Sequence, residues 1–208
     1  MSVRIERVVT SGVFSLDGED FEVDNNIWLL GDDREVMIFD AAHDHRPIMA
    51  AVDGRKVTSI ICTHAHNDHI NAAVELANES NAPVWLHPDD AMLWDVIHPD
   101  RHVDAPLADG QLLSVGGSEV TVLHTPGHSP GGCCFHVPEL ATVFTGDTLF
   151  NGGPGATGRS FSSLPQLVDS ISAKLLDLDD QTTARTGHGD STTIGAERAG
   201  ILEAAADL

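Results

Sequence analysis

Three imidazoles and one carboxylate fall within six consecutive positions of this chain, His64-Ala65-His66-Asn67-Asp68-His69. Imidazole nitrogen and carboxylate oxygen are the donors that zinc, iron and manganese accept. An i, i+2 histidine pair at the end of a strand lets both rings turn toward one point in an open loop. Asp68 and His69, in the first turn of a following helix, can then point at a neighbouring position. A lone His-x-His would suit a solvated loop equally well, whereas four donors at a strand-to-helix junction point to metal. Three further islands each set one candidate ligand beside glycine after a β-rich run: His124-Thr125-Pro126-Gly127-His128-Ser129, Phe144-Thr145-Gly146-Asp147-Thr148 and Thr186-Gly187-His188-Gly189-Asp190. Glycine there lets the backbone bend tightly while the side chain faces a rim. The chemistry implied is hydrolytic. A zinc-bound water loses its proton at about pH 7 instead of near ~16, and the metal also polarises a carbonyl oxygen and stabilises the oxyanion that forms on attack.

The elements that must position these donors are legible in outline. Arg4–Thr10 reads as a mixed strand, Asp17-Gly18 as a turn, Asn26–Leu30 as an apolar strand, and Gly31-Asp32-Asp33 as a turn into Val36–Asp40. Pro47–Val52 suits a short helix. Val57–Thr63 is β-branched and apolar without alternation, as in a strand buried on both faces. Asn67 or Asp68 is expected to cap a helix whose apolar positions Ile70, Ala73, Val74 and Ala77 follow the helical period. A short strand at Val84–His87 precedes a loop-rich stretch containing Pro88, Pro99 and Pro106. Strands are then expected at Val120–His124, Gly132–Val137 and Ala141–Thr145. Pro165 suits the first turn of a helix with the stripe Leu164, Leu167, Val168, Ile171 and Leu175. A last strand, Thr182–Thr186, leads to a C-terminal helix from about Ile194. Strands and helices mix, with polar clusters where strands end, so the pattern predicts a layered sheet-and-helix domain with a site on one rim.

Composition narrows the partners. Eleven basic residues against 32 acidic ones give 208 residues a formal charge of −21. Such a surface repels phosphate backbones and anionic lipid, so neither nucleic acid nor membrane is expected as a partner. No apolar run approaches the roughly 18 residues of a membrane span. The start, with Arg4, Glu6 and Arg7, does not read as a secretory signal. Three cysteines cannot form a paired framework and read as buried thiols in a reducing, cytoplasmic setting. Hydrophobic residues at 41% suffice for a core.

In combination the four motifs resemble the metallo-β-lactamase superfamily, and within it the small glyoxalase II-like thioester hydrolases (hydroxyacylglutathione hydrolase-like). The likeness runs from Asp40 to Thr192-Thr193-Ile194-Gly195-Ala196-Glu197-Arg198. It implies an α+β fold, a four-layer αβ/βα sandwich, as one domain over residues 1–208 without the appended C-terminal helical region of glyoxalase II proper. It also implies two divalent metal ions, zinc foremost with iron or manganese as alternatives. By matching motif, His64, His66 and His128 would hold the first ion and Asp68, His69 and His188 the second. Asp147 would bridge them, and a hydroxide shared by the two ions would attack the thioester. Asp40 matches an early family aspartate that orients a ligand histidine. The resemblance thus makes Asp68, Asp147 and Asp40 the expected catalytic carboxylates. Asp147 within Phe144–Phe150 resembles the glyoxalase II type and speaks against a β-lactamase.

Substrate residues are less sharply marked. Arg159 is the one cation of the loop Asn151–Arg159 and suits a substrate carboxylate. Asn151, His43 and His45 are the other candidates to line the pocket. Glycine-rich loops of this kind either approach a ligand or merely connect. The substrate expected is a small-molecule thioester, an S-acyl or S-formyl adduct of a small thiol. The resemblance also allows an iron persulfide dioxygenase, using His64, His128 and Asp147 around one iron, or a metal-dependent lactonase. Trp28, Trp85 and Trp94 read as core, and His87, His98, His102, His124 and His136 as ordinary surface or hydrogen-bonded residues. If the dinuclear reading holds, elemental analysis finds about two metals per chain, and His66→Ala and Asp147→Ala each abolish nearly all hydrolysis in a thioester assay.

Overall fold

The β-branched start of the chain folds back on itself at Gly18, whose φ of 82° is a left-handed value that glycine adopts at no steric cost. In the computed structural model, which describes residues 2–16 and 18–208, β1 (Arg4–Leu16) pairs antiparallel with β2 (Glu19–Gly31), from Arg4 opposite Gly31 to Leu16 opposite Glu19. Asp17, the other half of the expected turn, lies outside the described residues. Both strands run well beyond the apolar segments that marked them. Contacts group the chain into two compact units, Met1–Leu107 with Ser114–Ser118, and Ala108–Leu113 with Glu119–Leu208.

In the first unit β3 (Glu35–Phe39), α1 (His45–Val52), β4 (Lys56–Ile61), α2 (Asn67–Ile70), α3 (Ala73–Ser80), β5 (Val84–Leu86), α4 (Ala91–Ile97) and β6 (Ala105–Pro106) follow the hairpin. The strands form one sheet in sequence order, antiparallel from β1 to β3 and parallel from β3 to β6. Alternate residues Ile27, Leu29, Val36, Ile38 and Ile60 pack with Ile48, Val52, Leu76 and Trp94 from the helices. The intervening Trp28, Leu30, Met37, Phe39 and Ile61 are buried as well, which explains why these strands show no polar alternation. Asp44 caps α1, accepting from the backbone N–H of Arg46. The Arg46 guanidinium and that N–H together hold the Asp44 carboxyl down at about 2.

The helix expected after His66 is broken in two. His66, not Asn67 or Asp68, is the N-cap residue of α2, and its side chain makes no capping bond. Between α2 and α3 the chain is claimed by the segment after β3. Ala41 N–H donates to His69 O, Ala72 N–H donates to Ala41 O, and the Asn71 side chain accepts from His43 N–H. The loop-rich stretch holds an unexpected helix, α4, because Trp94 is buried whereas Met92 and Val96 stay exposed and blur the helical period.

From Leu112 onward the chain carries β7 (Leu112–Val115), β8 (Ser118–His124), β9 (Cys133–Val137), β10 (Thr142–Gly146), the two-residue strands β11 (Leu149–Phe150) and β12 (Gly153–Pro154), α5 (Leu164–Ser170), β13 (Thr183–Thr186), β14 (Thr192–Thr193) and α6 (Ile194–Ala206). Their main sheet has the order β14-β13-β10-β9-β8-β7. β7 had no sequence signal, since Leu112 is exposed. Ser163 caps α5, whose expected stripe continues through a π-helical turn at Ile171–Leu175. Leu167, Val168, Ile171 and Leu175 pack with Cys134, Val143, Ala184, Ile194 and Ile201, while Leu164 is exposed. Gly127 has φ 138°, and a Cβ there would run into the backbone of Leu167 on α5. Gly127→Ala is therefore expected to cost about 1–3 kcal/mol, from overpacking and backbone strain. Chemical denaturation measures it, and an unchanged midpoint would contradict the packing described.

Candidate functional site

Parallel strands carry their C-terminal ends on one edge, and the loops leaving that edge are where such sheets place their sites. In the first unit Asp40 follows β3, Thr63 to His69 follow β4, and His87 to Asp90 follow β5. In the second, β8, β10 and β13 run in one direction, and His128, Asp147 and His188 follow their ends.

The first unit gathers four donors. His64, Asp68 and His69 are all but fully buried, and His66 is half-buried. His64 Nε2 lies 3.0 Å from His66 Nδ1. Two nitrogens bound to one tetrahedral zinc at ~2.05 Å lie about 3.3 Å apart, so the pair is close to the spacing one ion requires. The His64 and His69 rings are 4.2 Å apart, centroid to centroid.

Asp40 orders this cluster. It sits at φ 62°, a strained value for a residue with a side chain, and this bend at the end of β3 aims its carboxylate at the next loop. Its Oδ1 accepts from Thr63 N–H at 2.8 Å, and its Oδ2 accepts from Thr63 Oγ1 at 3.0 Å and from His69 Nδ1 at 2.8 Å. Thr63 has thereby spent its hydroxyl proton, so at 3.1 Å it accepts from His64 Nδ1. Both imidazoles are held with the proton on Nδ1 and the lone pair on Nε2, the tautomer a metal ligand needs.

Asn25, on β2, was not foreseen. Its Nδ2 donates to Asp68 Oδ2 at 3.2 Å, and its Oδ1 lies 2.8 Å from His43 Nε2. His43 thus reaches the cluster through Asn25, while His45 pairs with Glu79 at 3.0 Å. The only signal for Asn25 was two asparagines opening an apolar strand. Cys62, buried beneath the loop, has its thiol pushed well up by burial and by Asp40 and Asp90.

In the second unit Asp147 Oδ2 lies 3.6 Å from both His128 Nε2 and His188 Nε2. Donors at that spacing are close enough to share a metal ion. His128 Nδ1 donates to Ala156 O at 2.8 Å, which leaves its lone pair on Nε2. Ala156 belongs to the glycine-rich loop. β11 and β12 make it a small hairpin, Gly155 N–H donates to Thr148 O, and Gly152 N–H donates to the buried Glu197. A Cβ at Gly155 would collide with the Asp147 carbonyl. The loop supplies the carbonyl that meets His128, and Asn151 and Arg159 are exposed on it. Outside these sets, the His98 and His124 rings hydrogen-bond to the carbonyls of Ile70 and Pro130.

The sequence profile of the Metallo-beta-lactamase superfamily matches residues 21–188, more than half of the chain. The chain belongs to that superfamily. It is 35% identical over 153 residues to hydroxyacylglutathione hydrolase GloC of Haemophilus influenzae, covering 67% of this chain and 72% of the relative. Among solved structures, the BLEG-1 B3 metallo-beta-lactamase superposes with a TM-score of 0.78 at 29% identity, covering 91% of this chain and 97% of that one. ETHE1 from Myxococcus xanthus gives 0.74 at 27%, covering 88% and 80%. TTHA1623 in a di-iron-bound form gives 0.73 at 32%, covering 85% and 93%. The α+β metallo-β-lactamase fold expected from the motifs is therefore the fold of this chain, and its His/Asp clusters are able to bind metal ions. No helix among the described residues is long and apolar enough to cross a membrane.

Because Asp40 sets the tautomer of His69 directly and of His64 through Thr63, Asp40→Ala is expected to weaken metal affinity about 10–100-fold. Competition for zinc against a chromophoric chelator measures this, and wild-type affinity in the variant would refute the role.

Proposed function

We propose that this protein is a dinuclear metallohydrolase that cleaves the thioester of a small thiol, an S-acyl or S-formyl adduct. His64, His66 and His128 would hold one divalent ion and Asp68, His69 and His188 the other, with Asp147 between them. The observation that carries the reading is the Asp147 oxygen 3.6 Å from the imidazoles of both His128 and His188, which the matching motifs assign to different ions. The donor set fits the group, since imidazoles of fixed tautomer and carboxylates are ligands for zinc, iron and manganese alike. When bound, the ions supply Lewis-acid polarisation of the scissile carbonyl and a nucleophile ionised near neutral pH.

The chain's own part is positional. Asp40 and Thr63 hold the protons of two imidazoles, Ala156 O holds that of His128, and Asn25 orients Asp68. A thiolate leaves with little need of protonation, so no general acid is assigned. The likeness to hydroxyacylglutathione hydrolase GloC supports a thioester as substrate. Three buried cysteines support a reducing, cytoplasmic setting. A net charge of −21 supports a small-molecule substrate over nucleic acid or membrane.

The likeness to ETHE1 favours one second reading, an iron persulfide dioxygenase using His64, His128 and Asp147. The two separate cleanly. Purified protein assayed without oxygen against a panel of thioesters, a lactone and a β-lactam is expected to hydrolyse thioesters, to lose activity on chelation and to regain it with zinc. Full activity of metal-free protein would refute the hydrolase reading. One iron per chain with oxygen uptake on a thiol persulfide would replace it by the second.

A further inference from the structure

Helix α4 touches the ligand-bearing segment at both of its ends. At its start Asp90, with no exposed surface, accepts from the backbone N–H of Ala65 through Oδ2 at 2.9 Å. Ala65 is the residue between His64 and His66, so this bond orients the peptide that joins the two rings. At the other end His98 Nε2 lies 2.9 Å from the carbonyl oxygen of Ile70, the residue after His69. Segment 64–70, with its four donors, is thus bracketed by one helix.

The brace is itself anchored. Asp90 N–H donates to His87 O just after β5, and the buried Trp94 donates through Nε1 to Arg101 O and packs against the His98 ring, tilted by 45° with centroids 4.5 Å apart. The loop at His64–His66 belongs to no helix or strand, so the N–H of Ala65 has no ladder to join. A buried carboxylate is the strong, directional acceptor that such a group needs.

We infer that α4 is a positioning brace for the metal ligands, acting through Asp90 on His64 and His66 and through His98 on His69. Neither residue needs to touch metal or substrate. The inference rests on the metal reading above. It adds that the affinity of segment 64–70 for its ion is set in part by a helix that holds none of the donors.

Zinc affinity of the full chain, measured by competition against a chromophoric chelator, tests it, with thermal unfolding of the metal-free protein followed in parallel. Asp90→Ala and His98→Phe are each expected to bind zinc about 10–100-fold more weakly, while Asp90→Asn, which keeps an acceptor oxygen, stays within about threefold of wild type. A purely structural role would lower the unfolding temperature and leave the affinity of the folded variants unchanged. Wild-type affinity in either Asp90→Ala or His98→Phe overturns the brace, as does Asp90→Asn binding as weakly as Asp90→Ala. Should Asp90→Ala not fold, Asp90→Ser, whose hydroxyl falls short of Ala65, takes its place with the same expectation. Wild-type protein that binds no zinc, iron or manganese at all overturns the metal reading itself and the brace with it.

Discussion

A hydrogen-bond acceptor on one nitrogen of an imidazole fixes the lone pair on the other, where a cation can take it, and this constraint organises the chain around three of its histidines. Asp40 satisfies it for His69 directly and for His64 through Thr63, and Ala156 satisfies it for His128. Each acceptor comes from a different loop, so the tautomers depend on the backbone path of distant segments. The left-handed bend at Asp40 and the tight contact of Gly155 against Asp147 are local costs that make these acceptors reach.

The sheets explain why the acceptors and donors meet. Strands that run in one direction deliver their outgoing loops to one edge, so residues far apart in sequence become neighbours without any local signal. In the first unit β3, β4 and β5 deliver Asp40, the His64–His69 segment and Asp90. In the second β8, β10 and β13 deliver His128, Asp147 and His188. The rigid parts lie behind, in two apolar clusters that the helices complete. Catalytic variety within such a fold comes from the loops, which agrees with the solved likenesses carrying names as different as a B3 metallo-beta-lactamase and ETHE1.

Much of the architecture was legible because burial on both faces leaves strands as unbroken apolar runs and because caps and turns have local chemistry. The strands around Val57–Thr63 and Thr182–Thr186 and the helix from Ile194 stand within a residue or two of where their patterns put them. The misses share one physical cause. The break after Ile70 comes from Ala41 capturing the backbone of His69 and Ala72, and α4 exists because Trp94 finds a buried place, and neither event has a period or a cap to announce it.

The candidate ligands were readable as residues, since donor chemistry resides in side-chain type and the spacing of histidine, aspartate and glycine is written in the chain. Their supports were not. Asn25, Asp90 and Glu197 looked like ordinary polar residues. By itself the sequence determined which atoms are able to coordinate a metal and which strands carry them. Only the tertiary structure decided which of those atoms hold a proton and which hold a lone pair, because that choice traces to Asp40 and Ala156, brought to the histidines from distant loops.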